Sequence, residues 1–349
     1  MDLTVDRPAD IRRPAFAGAR RPVASSALAA VDVRPLRPSS LMPLLVTPAA
    51  ADIDILAWSQ AHRQIVDEWL LDYRAVLFRG FQVSTSARLQ EFAAATSTGP
   101  LMTCPDESTP RAALGDRIYE STVYPAHQAI NLHNEASYCD QWPRKIYFCC
   151  LEPSREGGAT PLADVRRVVA HLAPDVLDEF ARRGVAYIRN FNTRRIGLTW
   201  QEAFWTEDPS AVEEYCRRHE IRYEWKPSGE LRTTAVRPAF RRHPVSGELL
   251  WFNHAVFFHL AAYPDEMRAA LIDALGRDNL PYETSFGDGT TIDPGIVHDV
   301  LRAFQAEQVT FAWERGDVLL LDNMTVAHGR EPYEGSRSII VAMTEAQGR

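Results

Sequence analysis

The end of this chain is cut into pieces of strand length. VTFAW (309–313), VLLLD (318–322), TVAH (325–328) and SIIVAM (338–343) follow one another with turn-type residues between them. Runs so short and apolar read as buried strands rather than helices. KIYFCCLE (145–152) has the same character. AVLFRGF (75–81), GGATPLAD (157–164, a turn then a short strand), AYIRN (186–190), IRYEW (221–225), LRTTAV (231–236) and ELLWFN (248–253) add further short strands. Helical periodicity lies mostly earlier. It is seen at 54–73, with Ile55, Ile65, Val66, Trp69 and Leu70 on one face, and at 86–96. A helix pair split at Pro174 and closed by Gly184 follows, then helices at 199–206, 209–219, 264–275 and 294–306. Residues 101–129 read as a long irregular loop. This order favours a mostly β chain with helical cladding (α+β), built on a sandwich or jelly-roll core, over a doubly wound sheet.

Residues 1–40, rich in Pro, Arg and Ala, show no hydrophobic period, and Pro8, Pro14 and Pro22 interrupt any helix. They are expected to form a mobile arm, with 41–349 a single domain carrying helical insertions. With 349 residues, 46% of them hydrophobic, the chain can bury a large core without a disulfide or metal staple. A net charge of −8 argues against nucleic acid or an anionic membrane as the main partner, since both need a basic face. No run approaches the roughly 18 apolar residues of a membrane helix. Residues 1–13 lack the apolar core of a secretory signal. Five cysteines (Cys104, Cys139, Cys149, Cys150, Cys216) without a CxxC predict a reducing, cytoplasmic setting. GxGxxG, GxxxxGK[ST] and GxSxG are all missing, which sets aside the common nucleotide-dependent transferases and serine hydrolases.

Three features ask for one explanation. His133-Asn134-Glu135 places an imidazole and a carboxylate at i and i+2, on one face of an extended segment. His328 follows the apolar run VLLLD and the turn at Asp322-Asn323. Arg337 stands nine residues further on, where a buried strand begins. Each alone has an ordinary reading: a turn histidine, a core histidine, a solvated charge. Together, two His and one carboxylate form the facial set of a non-haem Fe(II) oxygenase, which leaves positions open for a 2-oxo acid and O2. The far carboxylate of such an acid needs a two-pronged cation, and Arg suits this better than Lys.

The segments HNEASYCDQWPRKIYFCCLEPSREGGATPLADVR and WERGDVLLLDNMTVAHGREPYEGSRSIIVAM resemble the taurine dioxygenase superfamily. The likeness is strongest to its clavaminate synthase-like and syringomycin biosynthesis-type hydroxylases, and WFNHAVFFH and SFGDGTTID share it. It runs from about residue 50 to the C-terminus. The resemblance implies a double-stranded β-helix (jelly roll) that uses Fe(II), 2-oxoglutarate and O2. His133, Glu135 and His328 match the metal ligands. Arg337 matches the partner of the far carboxylate of 2-oxoglutarate, and Thr160 a hydroxyl that assists it. Relatives that install chlorine lack the carboxylate, so Glu135 points away from halogenation.

The implied activity is hydroxylation of an sp3 carbon of an amino-acid-derived substrate, free or carrier-protein-bound, in natural-product (antibiotic) biosynthesis. Desaturation or cyclisation would use the same residues. A sulfonate-type nutrient dioxygenase and a jelly-roll metal binder with a vestigial or zinc site are the alternatives. Several lesser candidates remain. Arg330 and Asn131, two residues from His328 and His133, would share their faces and reach a substrate. Asn323 and Asp317 read as turn residues. Trp251, Phe252, Asn253 and His254 read as core packing or a substrate wall, and His254 and His259 as non-ligands. Arg194-Arg195 reads as a solvated loop or a lid.

Overall fold

The computed structural model describes residues 27–103, 113–115, 117–120, 124–192 and 196–348. The first described strand belongs to an eight-stranded sheet. β1 (Val31–Pro35) pairs antiparallel with β2 (Leu44–Pro48), Val31 opposite Pro48. Residues 31–35 therefore belong to the sheet and not to an arm over 1–40, while residues 1–26 lie outside the described residues. The periodic stretch 54–73 forms two helices, α1 (Ile55–Ala61) and α2 (Arg63–Tyr73), because the chain bends at His62. There Nδ1 donates to the Trp58 carbonyl at 2.8 Å and the ring stacks on Trp58. β3 (Ala75–Phe78) lies parallel to β2, and α3 (Ser86–Thr96) starts at the Thr85 cap. The expected loop over 101–129 holds two short strands, β4 (Ala113–Gly115) and β5 (Ile118–Glu120).

β6 (Ile130–His133), β7 (Gln141–Glu152), β8 (Glu156–Gly157) and β9 (Leu162–Asp164) follow. The helix pair α4 (Val165–Val169) and α5 (Pro174–Arg183) ends at Gly184, whose φ of 64° suits glycine. Next come β10 (Val185–Phe191), α6 (Trp200–Phe204), α7 (Pro209–Arg218), β11 (Ile221–Trp225), β12 (Leu231–Arg237), β13 (Phe240–Arg242) and β14 (Leu249–Trp251). The chain closes with α8 (Asp265–Leu275), β15 (Tyr282–Phe286), α9 (Pro294–Ala306), β16 (Val318–Asp322), β17 (Val326–Arg330), β18 (Tyr333–Glu334) and β19 (Ser338–Gly348). VTFAW is not a strand. Phe311 and Trp313 are buried on one side, as the alternation requires, but the backbone makes one bridge alone, Leu162 to Val309.

The large sheet runs β1-β2-β3-β16-β7-β19-β5-β4. A smaller one runs β11-β12-β10-β15, and a three-stranded sheet runs β6-β17-β9. The architecture is mixed and sheet-dominated, with helices on the outside. The large sheet is buried on both faces, which explains why its central strands read as continuous apolar runs. In β7, Tyr147 and Cys149 pack with Phe78, Leu320 and the helices α1–α3, while Ile146, Phe148 and Cys150 point the other way, with Leu319, Leu321 and Val341. This second face looks toward the three-stranded sheet. No described helix is long and apolar enough to cross a membrane.

Candidate metal centre

The three-stranded sheet brings two histidines together. β6 and β17 are antiparallel with His133 opposite His328, and cross-strand partners of this kind share a face. Their ring centroids lie 4.7 Å apart. Gly329 allows the approach, because a Cβ there would sit 2.5 Å from the Ile130 carbonyl oxygen. Phe148, from the inner face of the large sheet, supports the His328 ring at 5.0 Å, and Phe257 flanks His133 at 4.5 Å. Nδ1 of His133 lies 2.9 Å from the Asn131 carbonyl. A carbonyl only accepts, so Nδ1 carries the proton and Nε2 keeps the lone pair that a metal needs.

Glu135 sits two residues past the end of β6, beside the left-handed Ala136 (φ 54°). Its backbone is held by the side chain of Asn323: Glu135 N–H donates to Oδ1 at 2.7 Å, and Nδ2 donates to the Glu135 carbonyl at 2.9 Å. Each of His133, Glu135 and His328 offers one ligand atom, and these atoms lie within 4.8 Å of one another. Two imidazoles and one carboxylate are a donor set that suits Fe(II). Neither His254 nor His259 joins them. His254 is buried with Nδ1 2.5 Å from Ser137 Oγ, and burial, then the neighbouring His133, holds its pKa well below the usual histidine range. His259 Nδ1 accepts from Ala261 N–H at the start of a short helical turn.

Arg337 stands immediately before β19. Its Nε donates to the Gly158 carbonyl at 3.0 Å, and its guanidinium carbon lies 5.5 Å from the Tyr333 ring centroid. Burial, then the charge of Arg330, draws its pKa down to about 10. No carboxylate among the described residues pairs with it. A buried cation in this state fits the far carboxylate of a 2-oxo acid. Gly158 (φ 70°) makes room, since a Cβ there would meet Ser154 Oγ at 2.4 Å and Arg337 Cδ at 3.1 Å. Thr160 is buried two residues on. The indole N–H of Trp313 donates to its Oγ1 at 3.1 Å. Indole is a donor only, so the Thr160 hydroxyl proton is left to offer to an anion.

The lesser candidates divide. Arg330 is expected to reach a substrate from the face of His328; the extra residue of the β17–β6 register lies on β6, between Ile130 and His133, and the guanidinium is taken up by the chain leading into that strand. Its Nη1 donates to the Tyr124 carbonyl, and Nη2 to those of Pro125 and Gln128, at 2.9, 2.6 and 2.8 Å. It pins the segment before β6 instead of presenting its fork to a substrate. Asn131 is exposed and contributes through its carbonyl to His133. Asp317 closes a turn by accepting from Glu314 N–H, and also takes a two-pronged bond from Arg79. Trp251 and Phe252 pack on Phe180 and Trp142, and Asn253 binds the Ala239 carbonyl, so only His254 of that cluster reaches the histidine pair. Arg194 and Arg195 lie outside the described residues. The bridging role of Asn323 and the contact of Phe257 were not foreseen. For Phe257 the signal was the aromatic density of WFNHAVFFH.

The family model for Taurine catabolism dioxygenase TauD, TfdA family matches residues 32–344. The dapdiamide synthesis protein DdaC of Enterobacter agglomerans is 36% identical over 314 residues, covering 90% of this chain and 94% of that protein. A clavaminate synthase-like protein of Arabidopsis thaliana is 28% identical, covering 87% and 94%. PvcB of Pseudomonas aeruginosa, described as an Fe, alpha-ketoglutarate dependent oxygenase from an isonitrile synthetic pathway, superposes with a TM-score of 0.53 at 16% identity, over 94% of this chain and 95% of that one. At that identity the likeness speaks to the fold.

Proposed function

The chain belongs to the taurine catabolism dioxygenase TauD, TfdA family, and from that premise we propose that it hydroxylates an sp3 carbon of an amino-acid-derived substrate in a biosynthetic pathway. It is an Fe(II)- and 2-oxoglutarate-dependent dioxygenase. The biosynthetic assignment draws on the relative that works in dapdiamide synthesis, whose sequence runs alongside 90% of this chain. In the same reading, the large sheet and the three-stranded sheet, facing each other across Phe148 and His328, are the walls of a double-stranded β-helix.

The observation that carries the site is the convergence of the His133, Glu135 and His328 donor atoms within 4.8 Å. These three would hold the metal, and Arg337 with Thr160 would hold the far carboxylate of 2-oxoglutarate. Iron, 2-oxoglutarate and O2 together supply an oxidising power that no side chain has. The protein orients and shields. The Asn131 carbonyl fixes the His133 tautomer, Asn323 holds the backbone of Glu135, and Phe148 and Phe257 surround the histidines with apolar surface that excludes water. Arg337 and the Thr160 hydroxyl meet the co-substrate at its far end and so set which end faces the histidines.

Anaerobic addition of Fe(II) and then 2-oxoglutarate to the apo-protein tests this. A visible charge-transfer band that needs both is the expected result. Its failure to develop would remove the site assignment. Succinate release across free and carrier-bound amino acids, with product analysis, then distinguishes hydroxylation from desaturation or cyclisation.

A further inference from the structure

We infer that Asn323 is a positioning residue that sets the metal-facing carboxylate of Glu135, an inference that rests on reading His133, Glu135 and His328 as the ligands. The two histidines need no special support, because the β6–β17 ladder fixes both. Glu135 has no such ladder. β6 ends at His133, and the chain turns away at Ala136. In place of a strand, one side-chain amide takes both hydrogen-bonding groups of the Glu135 backbone, the N–H at 2.7 Å and the carbonyl at 2.9 Å. Two bonds to one residue fix its rotation about the chain as well as its position. The same Nδ2 also donates to the Pro143 carbonyl at 2.8 Å, tying Glu135 to β7.

Asn323 is itself immobilised. Its side chain is fully buried, its carbonyl accepts from Asn134 Nδ2 at 2.6 Å, and its N–H donates to the Arg144 carbonyl at 2.8 Å. The turn that carries it is locked by Asp322, which binds His243 Nε2 at 2.9 Å and the Met324 N–H at 3.0 Å. The chemistry asks for Asn in particular. An Asp would face two carbonyls with no proton to give, a Gln is one carbon too long, and a Leu offers no bond. Metal–oxygen bonds tolerate only a few tenths of an ångström, so a small tilt of the Glu135 backbone moves its carboxylate out of range.

The test uses Co(II) as probe, titrated calorimetrically into the full-length apo-protein and followed by the ligand-field absorption of bound Co(II). Asn323→Ala should weaken Co(II) binding by roughly 10- to 100-fold and shift the spectrum, as loss of a ligand's supporting partner does. Asn323→Ser, a milder change that keeps a hydroxyl, should lie between and serves if the alanine variant does not fold. Asn190→Ala removes another buried amide, whose Nδ2 donates to the Leu280 carbonyl at 2.7 Å and not to the backbone of a proposed ligand. It should lower thermal stability yet leave affinity and spectrum unchanged, so a general loss of stability cannot imitate the effect. Glu135→Ala separates the two levels of the argument. If it loses Co(II) binding while both Asn323 variants keep the parent affinity and spectrum, the positioning role is wrong. If Glu135→Ala binds Co(II) like the parent, the ligand set is wrong.

Discussion

In the proposed reading, Arg337 is the one side chain on which co-substrate binding turns. Its pKa is drawn down to about 10 and not raised, so the folded protein carries a cation whose burial no acid among the described residues offsets. The sign matters: the shift is a cost to the folded state at neutral pH, relieved only as pH climbs past 10, and the group stays charged throughout the physiological range. A carboxylate arriving from solution offsets that cost. Charge-assisted hydrogen bonds contribute about 1.5–3 kcal/mol, so Arg337→Ala should raise the 2-oxoglutarate concentration needed for the charge-transfer band by roughly 10- to 100-fold. Iron binding alone should be unaffected. Arg337→Lys should restore little, because an ammonium cannot reproduce the planar fork; full recovery would show that charge alone matters. Arg337 stands out in the sequence by its place nine residues beyond His328, at the entry to a buried strand, and both features are local. For Arg330, seven residues before it, the partners are the carbonyls of Tyr124, Pro125 and Gln128, some 200 positions away, and no spacing within β17 reports them. Asn323 was legible as a turn residue and illegible as a clamp, since its partners are backbone atoms that any residue would supply.

At the scale of elements, the site depends on how closely β6 approaches β17. Gly329 sits between the two histidine-bearing segments, with Ile130 O at 2.5 Å and Asn131 O at 3.4 Å from where a Cβ would be. The neighbour is backbone, which cannot swing aside as a side chain would. Gly329→Ala should push β6 outward and cost about 1–3 kcal/mol of stability, the usual range for overpacking. It should also weaken Co(II) binding, because His133 moves with β6 while His328 stays. A variant destabilised in urea with undiminished Co(II) affinity would mean that β6 yields elsewhere than at His133. Elements were legible where burial and period agree. Within KIYFCCLE, residues 146–151 are continuously apolar because Tyr147 and Cys149 enter one core and Ile146, Phe148 and Cys150 the other. Where a tertiary partner decides, the sequence alone misleads. VTFAW alternates correctly but touches β9 through a single bridge, Val309 to Leu162, and pairs no further. β1 hides in a Pro- and Arg-rich stretch, and only its pairing with β2 reveals it.

Across the whole molecule, Glu135 and His328 are 193 positions apart, and what joins them is the stacking of sheets rather than any local pattern. The frame behind that junction contains a buried charge cluster. Lys145, fully buried in β7, binds Asp67 of α2 at 2.6 Å, Glu345 of β19 at 2.9 Å and the Thr96 carbonyl of α3 at 2.6 Å. Arg144 adds Nε to Glu345 at 2.7 Å, while its carbonyl receives the Asn323 N–H. Against the upward push of burial, Lys145 and Arg144 hold the Glu345 pKa down to about 2, from an ordinary 4.5. A depressed carboxylate contributes stability that is present above pH 4.5 and lost as pH falls from there toward 2. Glu345→Gln leaves two buried cations with one fewer anion, so at pH 7 it should lose about 3–5 kcal/mol in urea unfolding. Its stability should also fall less steeply than the parent's between pH 4.5 and 2, because the titrating group is gone. Parallel acid profiles in the two proteins would place the parent's acid sensitivity outside this cluster, and Glu345 would then be held by packing and not by charge.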